Sequence, residues 1–126
     1  ELDRLETIGW GSFAHVAKVR WRGTLCALKT PNSSAWQARR RGMPYAIRRE
    51  VAILACLSAE NHPHLCRLVG ITTAPKVAFL FELCSGGNLL ESIVEASHTW
   101  NLTQRLTALV HIAQALKRLH ENGILH

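Results

Sequence analysis

Gly9-Trp10-Gly11-Ser12-Phe13-Ala14-His15-Val16 is the stretch from which the fold follows. Its Gly-x-Gly-x-x-x-x-Val spacing lies between Leu5 to Gly9 and Val16 to Trp21, two short segments with partial apolar alternation, so it reads as strand–turn–strand. No helix follows the turn, which excludes the glycine fingerprint of dinucleotide-binding folds. No Gly-Lys-Ser/Thr opens a helix after it, which excludes a Walker A loop. By itself, a plain β-turn accounts for the pattern at least as well as a loop laid over phosphate groups.

Working outward, Arg22-Gly23-Thr24 is a hairpin signal, because glycine supplies the positive φ of a tight turn. Leu25 to Thr30 reads as a third strand, and within it Ala27 and Lys29 share a face. Thr30 to Met43 is polar and basic, with Pro31 and Gly42, and reads as a loop approaching a helix. From about Pro44 to Leu57 the period becomes helical: Ile47, Val51, Leu54 and Leu57 form an apolar side, and Glu50 lies on the same side as Leu54 and Leu57. Pro44 suits a first helical turn. A lysine on a buried strand needs an anionic partner, and Glu50 has the converse need. Pairing Lys29 with Glu50 meets both, either as a structural salt bridge or as a pair that leaves the ammonium free to reach phosphate.

Further along, Asn61-His62-Pro63-His64 breaks the helix, and Leu65 to Ile71 and Lys76 to Leu83 read as two more strands. The second of these is nearly all apolar, which predicts a central place in the sheet. Ser85-Gly86-Gly87 is a turn, Asn88 to about Glu95 a short helix, and a longer helix starts with Thr103 as N-cap. Leu106, Leu109, Val110, Ala113 and Leu116 give that helix a broad apolar face, predicting burial on more than one side. Asn122-Gly123 ends it.

The ordered set of these features resembles the protein kinase family along the whole chain. Ile8 to Val16 is similar to the glycine-rich loop, Ala27-Leu28-Lys29 to the Val-Ala-Ile-Lys strand, and Glu50 to the glutamate of helix C. His62 to Gly70 is similar to the turn and fourth strand after that helix. Phe81-Glu82-Leu83-Cys84-Ser85-Gly86-Gly87-Asn88-Leu89 resembles gatekeeper, hinge and start of helix D. Leu119 to His126 resembles the end of helix E running into the His of His-Arg-Asp. The stretch Val19-Arg20-Trp21-Arg22-Gly23-Thr24 looks most like the tyrosine-kinase-like group, whose members are mostly serine/threonine kinases.

The resemblance implies an α+β fold: a five-stranded antiparallel sheet with helix C over residues 1–84, then the first helices of the helical lobe over residues 85–126. It implies ATP as ligand, with Ile8 among the nucleotide-binding residues, the backbone amides of Gly9 and Gly11 close to the phosphates, Phe13 capping the loop tip, Lys29 on the α- and β-phosphates and Glu50 orienting it. Val16 and Ala27 would cover the adenine. Phe81 would be the gatekeeper, Glu82, Leu83 and Cys84 the hinge whose backbone meets the adenine edge, and Asn88 would stand at the start of helix D near the nucleotide. Leu54, Leu68 and His126 match positions of the hydrophobic spine. Mg2+ is expected in a complete domain through ligands beyond His126, and the partner is a protein substrate. Ala14 replaces the third loop glycine, and Trp10 is unusually bulky between the first two. The catalytic Asp, the magnesium-binding Asn and Asp-Phe-Gly would all follow His126, so the 126 residues alone are expected to be catalytically inactive. An alternative is a pseudokinase or regulatory scaffold; Arg-Asp after His126 would favour the enzyme.

Composition agrees with one modest domain with a core, since 48% of the 126 residues are hydrophobic. The longest apolar runs, Val51 to Leu57 and Val77 to Phe81, fall far short of the roughly 20 residues that span a bilayer. The opening Glu1-Leu2-Asp3-Arg4 has no signal pattern and no Met, which suggests a piece of a longer polypeptide. The net charge of +6 comes largely from Arg39, Arg40, Arg41, Arg48 and Arg49. Without interleaved aromatics this reads as a solvated basic face or a docking surface for phosphate or acidic groups, and nucleic acid is not an expected partner. Cys26, Cys56, Cys66 and Cys84 include no C-x-x-C pair, so buried reduced thiols and a reducing, cytoplasmic compartment are expected.

Overall fold

The computed structural model describes residues 2–32, 45–73, 76–95 and 100–125. Arg39, Arg40, Arg41, Met43, Pro44 and His126, to which the sequence assigns roles, lie outside the described residues. The elements are β1 (Leu2–Trp10), β2 (Ala14–Trp21), β3 (Thr24–Pro31), α1 (Tyr45–Ala59), β4 (Leu68–Thr72), β5 (Ala78–Glu82), α2 (Leu89–Glu95) and α3 (Leu102–Glu121). They fall into two compact units. One comprises Glu1–Asn61 with Cys66–Leu83, the other His62–Leu65 with Cys84–His126.

In the first unit the five strands form one antiparallel sheet in the order β1-β2-β3-β5-β4. The β2–β3 hairpin turns on Arg22 (φ 49°) and Gly23 (φ 81°), two consecutive left-handed residues whose twist suits a two-residue hairpin. β5 lies between β3 and β4 as its apolar sequence predicts, with Phe79 fully withdrawn from solvent. β1 begins at Leu2 rather than Leu5, because polar Asp3 and Arg4 continue the pairing on an exposed edge strand. β4 begins at Leu68 rather than Leu65: residues 63–65 form a turn and bend, and the ladder with β5 starts at Leu68 opposite Phe81.

The register sorts the sheet's two faces. Directly opposed residues of an antiparallel ladder share a face, so the pairings Val16↔Lys29, Ala27↔Phe81, Lys29↔Phe79 and Leu68↔Phe81 gather Val16, Ala27, Lys29, Phe79, Phe81 and Leu68 on one side. Helix α1 packs there: Ile47, Val77 and Phe79 make a buried cluster flanked by Val51, Leu54, Leu68, Ile71 and Phe81. The opposite face has its own cluster of Ala17, Val19, Cys26 and Leu80, flanked by Trp21, Leu28 and Val69. Ser58 ties the end of α1 to the start of β4, its Oγ accepting from the Leu68 N–H at 2.7 Å.

In the second unit α3 is fixed at both ends. Asn101, not Thr103, is the N-cap: its side chain accepts from the Gln104 N–H at 2.9 Å, and Gln104 Oε1 accepts from the Asn101 N–H at 2.9 Å. This reciprocal capping box satisfies two otherwise orphaned donors, which a cap at Thr103 would not. At the other end Gly123 (φ 69°) donates to the His120 carbonyl and Ile124 to the Leu119 carbonyl, both at 2.9 Å, a Schellman ending. The predicted burial of α3 on several sides is not observed: Leu106, Leu109 and Val110 are exposed, and Leu119 is the helix's buried residue. The apolar stripe is present, but among the described residues too little chain lies against it. The cysteine expectation is likewise corrected, since only Cys26 is buried, whereas Cys56 lies on the outer side of α1 and Cys66 and Cys84 lie on connecting segments. Among the described residues, no helix is long and apolar enough to cross a membrane.

Candidate functional site

The sheet face that carries Val16, Ala27 and Lys29 is covered by α1 only toward Phe79 and Phe81. Val16, Ala27 and Lys29 themselves are half-buried, which leaves a shallow floor that carries Lys29 and, opposite Ala27, Lys18, whose ammonium is paired with Glu6 at 2.9 Å. Lys29 Nζ donates to Glu50 Oε1 at 2.8 Å, joining β3 to the middle of α1 across 21 positions of sequence. The ammonium also lies 5.9 Å from the centre of the buried Phe79 ring, within range of a cation–π attraction.

The two side chains of the pair retain 38% and 40% of their accessibility. The burial argument from sequence therefore overstated how far this pair is desolvated. A pair this accessible is worth little as a structural bridge, and the lysine stays within reach of an anion.

The turn between β1 and β2 borders the same face, where Gly9 opposes Val16. Neither Gly9 nor Gly11 has a positive φ. A Cβ at Gly9 would meet Val16 at an ordinary 3.6 Å, and one at Gly11 would lie 3.4 Å from the Ala14 carbonyl. The backbone conformation and internal packing thus give no strong reason for glycine at position 9. Phe13 projects from the tip, 89% exposed, and Trp10 stacks on His15 with centroids 5.3 Å apart. Ile8 is exposed on β1.

Asn32, which sequence reasoning passed over as part of a loop, binds this turn. Its Nδ2 donates to the carbonyls of Gly11 at 3.0 Å and Ser12 at 2.9 Å, and its backbone N–H donates to the Phe13 carbonyl at 2.8 Å. The only sequence signal is its place three residues after Lys29, directly behind Pro31.

Phe81 packs at the margin of the α1 cluster, its ring 6.4 Å from that of Phe79. Glu82 is held on both sides of its chain: its N–H donates to the Arg67 carbonyl at 3.0 Å, and its Oε1 accepts from the Arg67 N–H at 2.8 Å. Leu83 is half-buried and closes the first unit. Cys84 opens the continuation of the second unit and is exposed. There, Asn88 Oδ1 accepts from the Glu91 N–H at 2.8 Å, so its side-chain oxygen is occupied as the N-cap of α2. Among the described residues no group of three or more His, Cys, Asp or Glu is placed to hold a metal ion.

Comparison with known proteins gives a consistent result. The model of the protein kinase domain family matches residues 2–126. The chain is 27% identical over its full length to human serine/threonine-protein kinase A-Raf, of which it covers 20%. It is 32% identical over its full length to a probable serine/threonine-protein kinase of Dictyostelium discoideum, of which it covers 8%. With human serine/threonine-protein kinase TNNI3K it shares 30% identity over 95% of its length and 14% of that protein. The chain thus spans about a fifth or less of the length of these relatives.

Proposed function

The chain belongs to the protein kinase domain family, and from that premise we propose that it forms the ATP-binding part of a kinase that transfers the γ-phosphoryl group to protein substrates, serine and threonine favoured over tyrosine. The observation that carries this reading is the 2.8 Å Lys29–Glu50 pair on the same sheet face as Val16 and Ala27. Kinases use a strand lysine, oriented by a helix glutamate, to hold the nucleotide's phosphates. Lys29 takes that part here, with Glu50 directing it. The backbone at Gly9 and Gly11 closes over the phosphates, and Val16 and Ala27 cover the adenine. Phe81 restricts the space behind it, and the backbone of Glu82 and Cys84 hydrogen-bonds its edge.

Phosphoryl transfer needs more than binding. In kinases an aspartate accepts the proton of the acceptor hydroxyl, and Mg2+, when bound, would supply charge neutralisation at the phosphates. Among the described residues no group of three or more His, Cys, Asp or Glu would hold that ion. The sequence contains one aspartate, Asp3, on the exposed edge strand β1. Residues 1–126 therefore supply binding and orientation, and by themselves no base for the hydroxyl.

The serine/threonine preference is supported by the names of the relatives, which are serine/threonine-protein kinases. It also agrees with the resemblance of Val19 to Thr24 to the tyrosine-kinase-like group. The test is transfer from γ-labelled ATP to a protein substrate by the full-length polypeptide carrying this chain, followed by phosphoamino-acid analysis. Label on serine and threonine is expected, and none is expected with residues 1–126 alone. Label confined to tyrosine, or transfer by residues 1–126 alone, would contradict the reading.

A further inference from the structure

We infer that Asn32 is a positioning residue for the glycine-rich turn, holding three successive carbonyls so that the turn's own amides face the polyphosphate of a nucleotide. The inference rests on the ATP-site reading above and deepens it. Asn32 Nδ2 donates to Gly11 O at 3.0 Å and Ser12 O at 2.9 Å, and Asn32 N donates to Phe13 O at 2.8 Å. At the base of the turn, Gly11 N donates to Ala14 O at 2.9 Å.

A peptide unit is planar and trans, so its N–H points opposite to its C=O. The carbonyls of Gly11 and Ser12 share their peptide planes with the N–H groups of Ser12 and Phe13. Drawing those carbonyls toward Asn32 turns these two N–H groups away from it. Among the described residues neither has a hydrogen-bond acceptor. Successive unpaired amides directed to one side form an anion-binding concavity.

The side chain suits the task. An asparagine amide carries two N–H donors on one nitrogen, and the two carbonyls it meets belong to adjacent residues. Replacing the side chain leaves the Gly11–Ala14 bond and the bond from the backbone N–H at position 32 to Phe13 O. It frees the Gly11–Ser12 and Ser12–Phe13 peptide planes to rotate, and a plane that flips presents carbonyl oxygen to phosphate. The adenine floor of Val16 and Ala27 is built from strand pairings that do not involve Asn32. Loss of Asn32 should accordingly weaken phosphorylated ligands selectively.

The experiment measures affinity for ATP and for adenosine by calorimetry in the full-length polypeptide carrying this chain, as wild type, Asn32→Ala and Asn32→Leu. Leucine keeps the shape of the asparagine and has no donor. Both variants are expected to lose about tenfold in ATP affinity, the scale of one or two lost hydrogen bonds, with adenosine affinity unchanged. Equal loss for both ligands, or no loss, overturns the inference while leaving the nucleotide site standing. A wild-type protein that binds neither ligand contradicts the nucleotide-site reading itself, and the inference falls with it.

Discussion

Phe79 has no solvent exposure and is in contact with both halves of the problem: its ring packs with Ile47 and Val77 beneath α1, and the Lys29 ammonium lies 5.9 Å from its centre. Truncating a fully buried phenylalanine removes its transfer free energy and leaves a cavity that the surroundings fill only in part. Phe79→Ala should therefore cost about 3–5 kcal/mol of stability, read as a lower midpoint in denaturant unfolding; a loss well under 1 kcal/mol would show that the cluster is not the core of this unit. At the same scale, Lys29 and Glu50 could be paired from sequence because each presents a charge on an otherwise apolar surface. Their accessibility could not be read that way. It depends on how far α1 extends over the sheet, and α1 stops covering it before Val16 and Ala27. Asn32 was not legible for a related reason: a single polar residue behind a proline carries no periodicity, and its meaning lies in three carbonyls that folding brings to it.

At the scale of the element, the strands and helices follow from alternation, helical spacing and glycine, and the departures lie at their ends. Thr103 is a good cap by residue type, but Asn101 wins because Gln104 stands three residues after it and returns the hydrogen bond. Asn101→Ala should destabilise α3 by about 1 kcal/mol, with faster amide hydrogen exchange in its first turn, whereas Thr103→Ala should leave that exchange unchanged. At the other end Glu121 sits where the helix dipole disfavours an anion. Hydrogen bonds from Lys117 and Arg118, with the charge of Lys117, hold its carboxyl below the usual glutamate range. A group whose pKa is lower in the folded state contributes stability above its unfolded pKa and loses it as pH falls through the folded value. An NMR titration should place the Glu121 midpoint below that of an unstructured glutamate, and Lys117→Ala should move it upward. An unshifted midpoint in the wild type, or a lowered one that Lys117→Ala leaves in place, would contradict the role given to these ion pairs.

At the scale of the whole molecule, the order of elements and the sheet with its helix were legible because kinase-like features recur in sequence at kinase-like intervals, and membership of the family rests on a match to residues 2–126. The apolar stripe of α3 was legible too, and in a whole kinase later helices would cover it; in residues 1–126 Leu102, Leu106, Leu109 and Val110 are exposed. In the same unit Leu89, Ile93, Trp100, Ala108, Leu109 and Ile112 line an apolar groove. Contiguous exposed apolar surface promotes association, so residues 1–126 in isolation should bind a hydrophobic dye and self-associate in sedimentation; a monodisperse monomer without dye binding would contradict this. The central claim is that Lys29 and Glu50, 21 positions apart and joined at 2.8 Å, form a nucleotide-holding pair rather than a structural bridge. Its most direct test is a double-mutant cycle on ATP affinity in the full-length polypeptide, using Lys29→Met, Glu50→Gln and both together, with thermal melting measured alongside. The account predicts that each single variant loses ATP affinity by about tenfold or more, the double variant little beyond either one, and that the melting temperature barely moves, as for a solvent-accessible pair. Unchanged ATP affinity with a clearly lowered melting temperature would contradict it.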